Sequence, residues 1–126
     1  MSPEAVNYMT VAQRHLERAE KIFLAEVYED VARNAYIAAL NAARAVIFDK
    51  LTIAPKTHSG TQTKFLELVR NGLTFDAELA DFLATGFEKK QGIDYGPEVV
   101  LVSRDEAADY LARAREFLAA ARRVCE

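Results

Sequence analysis

The sequence holds one cysteine, five glycines, three prolines and two histidines in 126 residues, and each scarcity excludes something. A lone thiol, Cys125, forms no internal bridge, so the fold must stand on its core, and a reducing cytoplasm is the simplest compartment. With so few glycines and prolines, nearly all between periodic segments, the chain reads as long helices with few breaks. Neither His15 nor His58 has a glutamate three residues before it or a second histidine nearby, so no metal site and no cofactor is suggested. A Gly-rich phosphate loop, a nucleophile elbow and a paired His–carboxylate pattern are all missing. A cationic excess is missing too: the net charge of -3 argues against a broadly basic nucleic-acid binder, while leaving room for a local cationic site. Lys89-Lys90 and Arg122-Arg123 are short enough to be ordinary solvated faces. Residues 31–48 form the stretch poorest in charge, but Arg33, Asn34, Asn41 and Arg44 interrupt it, which predicts a soluble helix rather than a membrane span. The opening Met1-Ser2-Pro3-Glu4 lacks the basic flank and apolar run of a signal peptide, so no targeting segment is expected.

What is present is 51% hydrophobic and 28% charged, the proportions of one domain spanning 1–126. At this size folding buries roughly 65–70% of the unfolded surface, enough for a core without staples. Ser2 as N-cap, Pro3 behind it and Glu4 at the positive end of the dipole open a helix of about 2–25, with Val6, Met9, Ala12, Leu16, Ala19 and Phe23 on one stripe. A second helix runs over about 28–52 and stops before Ala54-Pro55. His58-Ser59-Gly60 reads as a connector, with Ser59 or Thr61 capping a helix of about 61–71 that carries Phe65 and ends at Asn71-Gly72. Asp76 starts a helix of about 76–91, stopped by Gly92. Asp94-Tyr95-Gly96-Pro97 and the apolar run 99–102 read as a packed loop, since no second strand candidate exists to pair with that run. Ser103-Arg104-Asp105-Glu106 fits a capping box and opens the last helix, about 103–124. Helices joined by short loops, without strands, predict an all-α antiparallel up-and-down bundle of four to five helices.

The second helix is the unusual one. On one side Ala32, Ala35, Ala39, Ala43 and Val46 suit close packing within the bundle. On the other, Arg33 and Arg44 stand within about 20° of each other, beside Asn34, Asn41, Ile37, Leu40 and Phe48. An outward patch with those apolar anchors calls for a partner, most simply a second copy of the chain. Two readings of the arginines stay open: they pair with carboxylates at the bundle edge, or they line a cleft that takes an anion such as phosphate.

The run Arg33-Asn34-Ala35-Tyr36-Ile37-Ala38-Ala39-Leu40-Asn41-Ala42-Ala43-Arg44-Ala45, then Lys56-Thr57-His58-Ser59-Gly60, then Asp94-Tyr95 and Gly96-Pro97, resembles the HEPN family, in its small bacterial branch related to the C-terminal domain of sacsin. The three motifs fall in the family's order and cover nearly the whole chain. The resemblance implies an all-α bundle that dimerises through helix 28–52. It implies either a metal-independent ribonuclease, often a toxin beside a nucleotidyltransferase-type antitoxin, or an inactive relative that binds RNA or nucleotide; a purely structural interaction module is the remaining alternative. The family's nuclease motif pairs an arginine with a histidine about two turns later. Arg33 matches the arginine, followed by Asn34, but Asn41 stands at the histidine position, and Ala43 where some family toxins carry a modified tyrosine. A carboxamide cannot move the proton that imidazole can, so the expected site is degenerate. Arg33, Asn41 and His58 are the candidate catalytic positions, with His58 the one substitute acid–base group or else a cap; Arg33, Asn34, Asn41, Arg44 and Tyr95 are the candidate RNA- or nucleotide-binding residues. His15, next to Arg14, is expected to face solvent.

Overall fold

Local signals at the helix ends decide where each element begins. The Ser2 hydroxyl accepts from the Ala5 N–H at 3.1 Å and Pro3 follows it, which opens α1 (Pro3–Leu24) as its sequence requires. A turn through Glu26, at φ 64, leads into α2 (Tyr28–Leu51), closed by Thr52 in the left-handed region at φ 56. α3 (His58–Arg70), α4 (Ala77–Tyr95) and α5 (Arg104–Cys125) complete a helical bundle. The computed structural model describes residues 1–125, and among these there is no strand. No helix is long and apolar enough to cross a membrane.

Two boundaries differ clearly from the sequence reading. α3 starts at His58, not near Thr61, because Thr57 is the cap: its hydroxyl accepts from the Gly60 N–H at 2.9 Å and its carbonyl from the Thr61 N–H and hydroxyl. His58 is therefore a helix residue rather than part of a connector. α4 runs through Gly92 to Tyr95, where the sequence predicts a stop at Gln91. One interior glycine costs only about 1 kcal/mol, and the extra turn is held by a Lys90–Asp94 pair at 2.6 Å. Its true stop is Gly96, whose N–H reaches the Gly92 carbonyl at 3.1 Å; a Cβ there would lie 2.5 Å from that oxygen, so only glycine fits, and Pro97 follows. Asp94 and Tyr95 thus belong to the last turn of α4 rather than to a loop. The run 99–102 is a loop, but only alternate members pack: Val102 is buried and Val100 half-buried, while Val99 and Leu101 are exposed.

The Ser103 hydroxyl accepts from the Glu106 N–H at 3.1 Å, half of the predicted capping box. Glu106 itself is held below the usual carboxylate range first by Lys89, 3.1 Å away, and also by the Ser103 backbone.

α2 is the axis of the bundle, with α1, α3, α4 and α5 all packed on it. The alanines of its inner face are fully buried, with Val31, Val46 and Ile47, and each larger side chain removed from water contributes on the order of 1.5–3 kcal/mol. This overturns part of the outward-patch expectation. Leu40 is buried within the single chain, and Asn41 is 8% exposed. Apart from the two ends of α2 and Asn34, what stays half-open is a narrow strip, Arg33, Ile37, Arg44 and Phe48, continued by exposed Leu51; these positions fall within about 60° of one another on the helix wheel. Cys125 is buried, and burial, with Asp49 adding to it, pushes its thiol up to about 11, the state of an inert core thiol.

Candidate functional site

The open strip of α2 lies between two neighbours that supply charge. At its N-terminal end Arg33 is clasped: one guanidinium nitrogen donates to Asp30, one turn earlier, and two others reach Oδ1 of Asp94 at 2.8 Å. Asp94 also accepts from Lys90 at 2.6 Å. The Lys90 hydrogen bond, and after it Arg33, hold the Asp94 carboxyl below its ordinary 3.8 against a smaller effect of burial. For Arg33 the structure shows pairing with carboxylates: its charge is neutralised inside the chain.

These bonds tie the last turn of α4 to the second turn of α2, and they make a prediction. Because the folded-state value of Asp94 is depressed, its contribution to stability is fully present above the unfolded value near 3.8 and fades as pH falls through the lower folded value. Amide exchange in residues 90–96 is expected to accelerate in that acid window in wild type and to lose this pH dependence in Asp94→Asn. An equal acid response in both proteins would disprove the coupling.

Arg44, eleven residues on and about 16 Å further along the axis, is treated differently. Its Nε meets the Thr61 hydroxyl at 3.4 Å and an Nη meets the Lys56 carbonyl at 3.5 Å, both long contacts to neutral acceptors. Among the described residues it makes no ion pair. Next to it sits His58. The imidazole Nδ1 is 2.7 Å from the Tyr36 hydroxyl, and the ring stacks on Tyr36, with centroids 5.7 Å apart, and leans on Phe87. Burial first, then Arg44 and Lys90, keep the imidazole below its usual 6.5, so the ring is neutral at pH 7.

The remaining candidates make no hydrogen bond to this pair. Asn41 donates through Nδ2 to the Ile37 carbonyl of its own helix at 2.9 Å. Asn34 turns towards α1: it donates to the Asp30 carbonyl at 2.9 Å, and its Oδ1 lies 3.1 Å from Nδ1 of His15. His15 is thus half-buried against α2 instead of facing solvent. Tyr95 is 76% exposed, with Lys90 set 5.8 Å over its ring. Arg33 and Asn41 are about 12 Å apart along the axis, so within one chain they do not converge on one small group.

Four contributors escaped the sequence reading. Tyr36 was hidden in an apolar run, and Gln62, which acts on the Tyr36 phenol as a hydrogen-bond donor, carries no pattern. Asp30 and Lys90 do have a signal, in the i,i+3 spacing to Arg33 and the i,i+4 spacing to Asp94. Among the described residues no group of three or more His, Cys, Asp or Glu is placed to hold a metal ion.

No curated protein sequence matches the chain. A family model does: the one described as HEPN domain covers residues 5–124, from the first buried alanine of α1 almost to the end of α5. With that match spanning the clasped Arg33, the open Arg44 and the stacked His58 alike, the chain belongs to the HEPN domain family.

Proposed function

We propose that this protein binds a phosphate-bearing ligand, RNA or nucleotide, along the open strip of α2 as a homodimer, with little or no hydrolysis. The observation that carries this reading is the contrast between the two arginines. Arg33 is satisfied by two carboxylates, whereas Arg44 is half-buried, in contact only with neutral oxygens, and beside a neutral histidine. A guanidinium drawn partly out of water without a counter-charge is suited to a phosphate oxygen, which it can meet with paired donors. Asn41 explains the missing hydrolysis, since it offers no proton-transfer group and its N–H is used by its own helix. The homodimer rests on the apolar members of the same strip, Ile37, Phe48 and Leu51, leading to exposed Ile53. Two copies facing across it would bring both Arg44 side chains into one cleft.

Titration of fluorescent short RNA and of ATP over a salt series tests this. Arg44→Ala is expected to weaken binding about tenfold or more and to lower the salt slope by about one phosphate contact. Arg33→Ala, which removes a charge already neutralised, is expected to do less. Absence of saturable binding to both ligands, or affinity unchanged by Arg44→Ala, would sink the reading. Sedimentation of the same samples checks the dimer, which a monomer at every concentration would exclude.

A further inference from the structure

Tyr36 lies three residues beyond Arg33, yet it takes no part in the arginine's clasp and is completely buried. Its ring is pressed against Gly86 of α4, where an added Cβ would come within 2.9 Å of Cδ1, so ring and hydroxyl have a fixed place. At hydrogen-bond distance among the described residues the hydroxyl has one partner, Nδ1 of His58. A buried phenol proton without an acceptor is costly, so the hydroxyl donates to Nδ1 and the ring's own proton sits on Nε2. The reverse arrangement would strand that proton inside the bundle. The Gln62 side chain also borders the phenol, but it acts there as a donor that favours the phenolate, so it offers the phenol proton no alternative acceptor.

We infer that Tyr36 is a positioning residue, which fixes His58 as the neutral Nε2–H tautomer so that it serves the ligand phosphate as a hydrogen-bond donor beside Arg44 and cannot serve as a general base. This rests on the phosphate-binding reading and deepens it. One nitrogen is engaged by Tyr36 and the other already carries a proton, so neither can accept one from a ribose hydroxyl. Tyr36 holds its own proton across the working range, because burial pushes the phenol up to about 12 against smaller opposing effects of Gln62 and Arg44. The charged groups around the ring, Arg44 from α2 and Lys90 from α4, both disfavour the imidazolium. His58 therefore adds direction to the site without adding charge.

Nitrogen NMR of the imidazole rings in uniformly 15N-labelled protein reads the tautomer directly, and with only two histidines His15→Gln assigns the signals. At pH 7 the His58 Nε2 resonance is expected at the protonated position and Nδ1 at the unprotonated one. In Tyr36→Phe, which keeps the ring packing, the preference is expected to collapse to a mixture of tautomers, and RNA affinity to fall several-fold. A protonated Nδ1 or an imidazolium in the wild type would overturn the inference, as would Tyr36→Phe with an undiminished Nε2–H preference. The spectrum is recorded without ligand, so it stands even where the titrations find no RNA binding. The reverse failure, RNA bound with the wrong tautomer, removes the role of Tyr36 alone.

Discussion

Asn41→His is expected to switch on RNA cleavage, by about 10²–10⁴-fold over wild type, the range that a positioned acid–base group supplies. Position 41, buried at the edge of the open strip, is the one at which the family resemblance calls for histidine, and the local geometry can receive it. Asn41 donates to the Ile37 carbonyl one turn back, a bond that Nδ1–H of an imidazole can also make, which would leave Nε2 directed outward. Arg44 stands three residues further on the same sector of α2, with its guanidinium free to stabilise charge on a phosphate. At 8% exposure the site is tight, so some stability is lost to the larger ring. Cleavage of a fluorescent RNA by wild type, Asn41→His and Asn41→His with Arg44→Ala separates the possibilities. The single variant should cleave, and the double variant should fall most of the way back to the wild-type rate. A folded Asn41→His that binds RNA and shows no gain would mean that the strip is not arranged for this chemistry at all. Strong cleavage by wild type, abolished by His58→Ala, would instead reinstate His58 as the acid–base group and remove the inference drawn from Tyr36.

The sequence was most informative where the physics is local. Ser2, Asp76 and Ser103 each cap a helix through their own hydroxyl or carboxylate, and the stripes of α1 and α5 follow from residue spacing alone. It was misleading where a nonlocal contact outweighs a local preference. Gly92 looks like a stop, but Asp94 beyond it is held by Lys90 and by Arg33, some sixty residues away, and those bonds pay for another turn. The same limit applies to the site. A wheel projection puts Arg33 and Arg44 on one face; it cannot show that carboxylates from two helices take the first and that only neutral oxygens meet the second. Leu40 shows the limit for apolar groups, since α2 is covered on more sides by its own chain than a helix at the edge of a bundle would be. The dimer surface suggested by that helix shrinks accordingly to the strip from Arg33 to Leu51.

Phe117→Ala is expected to lower the stability by about 3–5 kcal/mol, a melting temperature roughly 10–20 °C lower, and to disturb the proposed binding strip from a distance. Phe117 of α5 is fully buried, 5.4 Å from the ring of Phe65 in α3 and 4.9 Å from that of Phe75 in the loop before α4, and Phe65 and Phe75 meet edge to face at 4.9 Å. Removing one ring deletes two of the three aromatic contacts and leaves a cavity that helices fixed at both ends close only in part. The cluster matters for function because it fastens α3. Apart from Phe65 the one fully buried side chain of that helix is Thr61, while its first turn carries His58 and the Thr61 hydroxyl that meets Arg44. Loosening the far end of α3 should therefore free its N-terminus before the bundle as a whole unfolds. In hydrogen exchange at 25 °C, amides of residues 58–70 are expected to exchange faster in Phe117→Ala than those of α1 and α2, together with weaker RNA binding. Uniform acceleration across all five helices would show instead that α3 opens only with the global fold, and that the site is as rigid as the core beneath it.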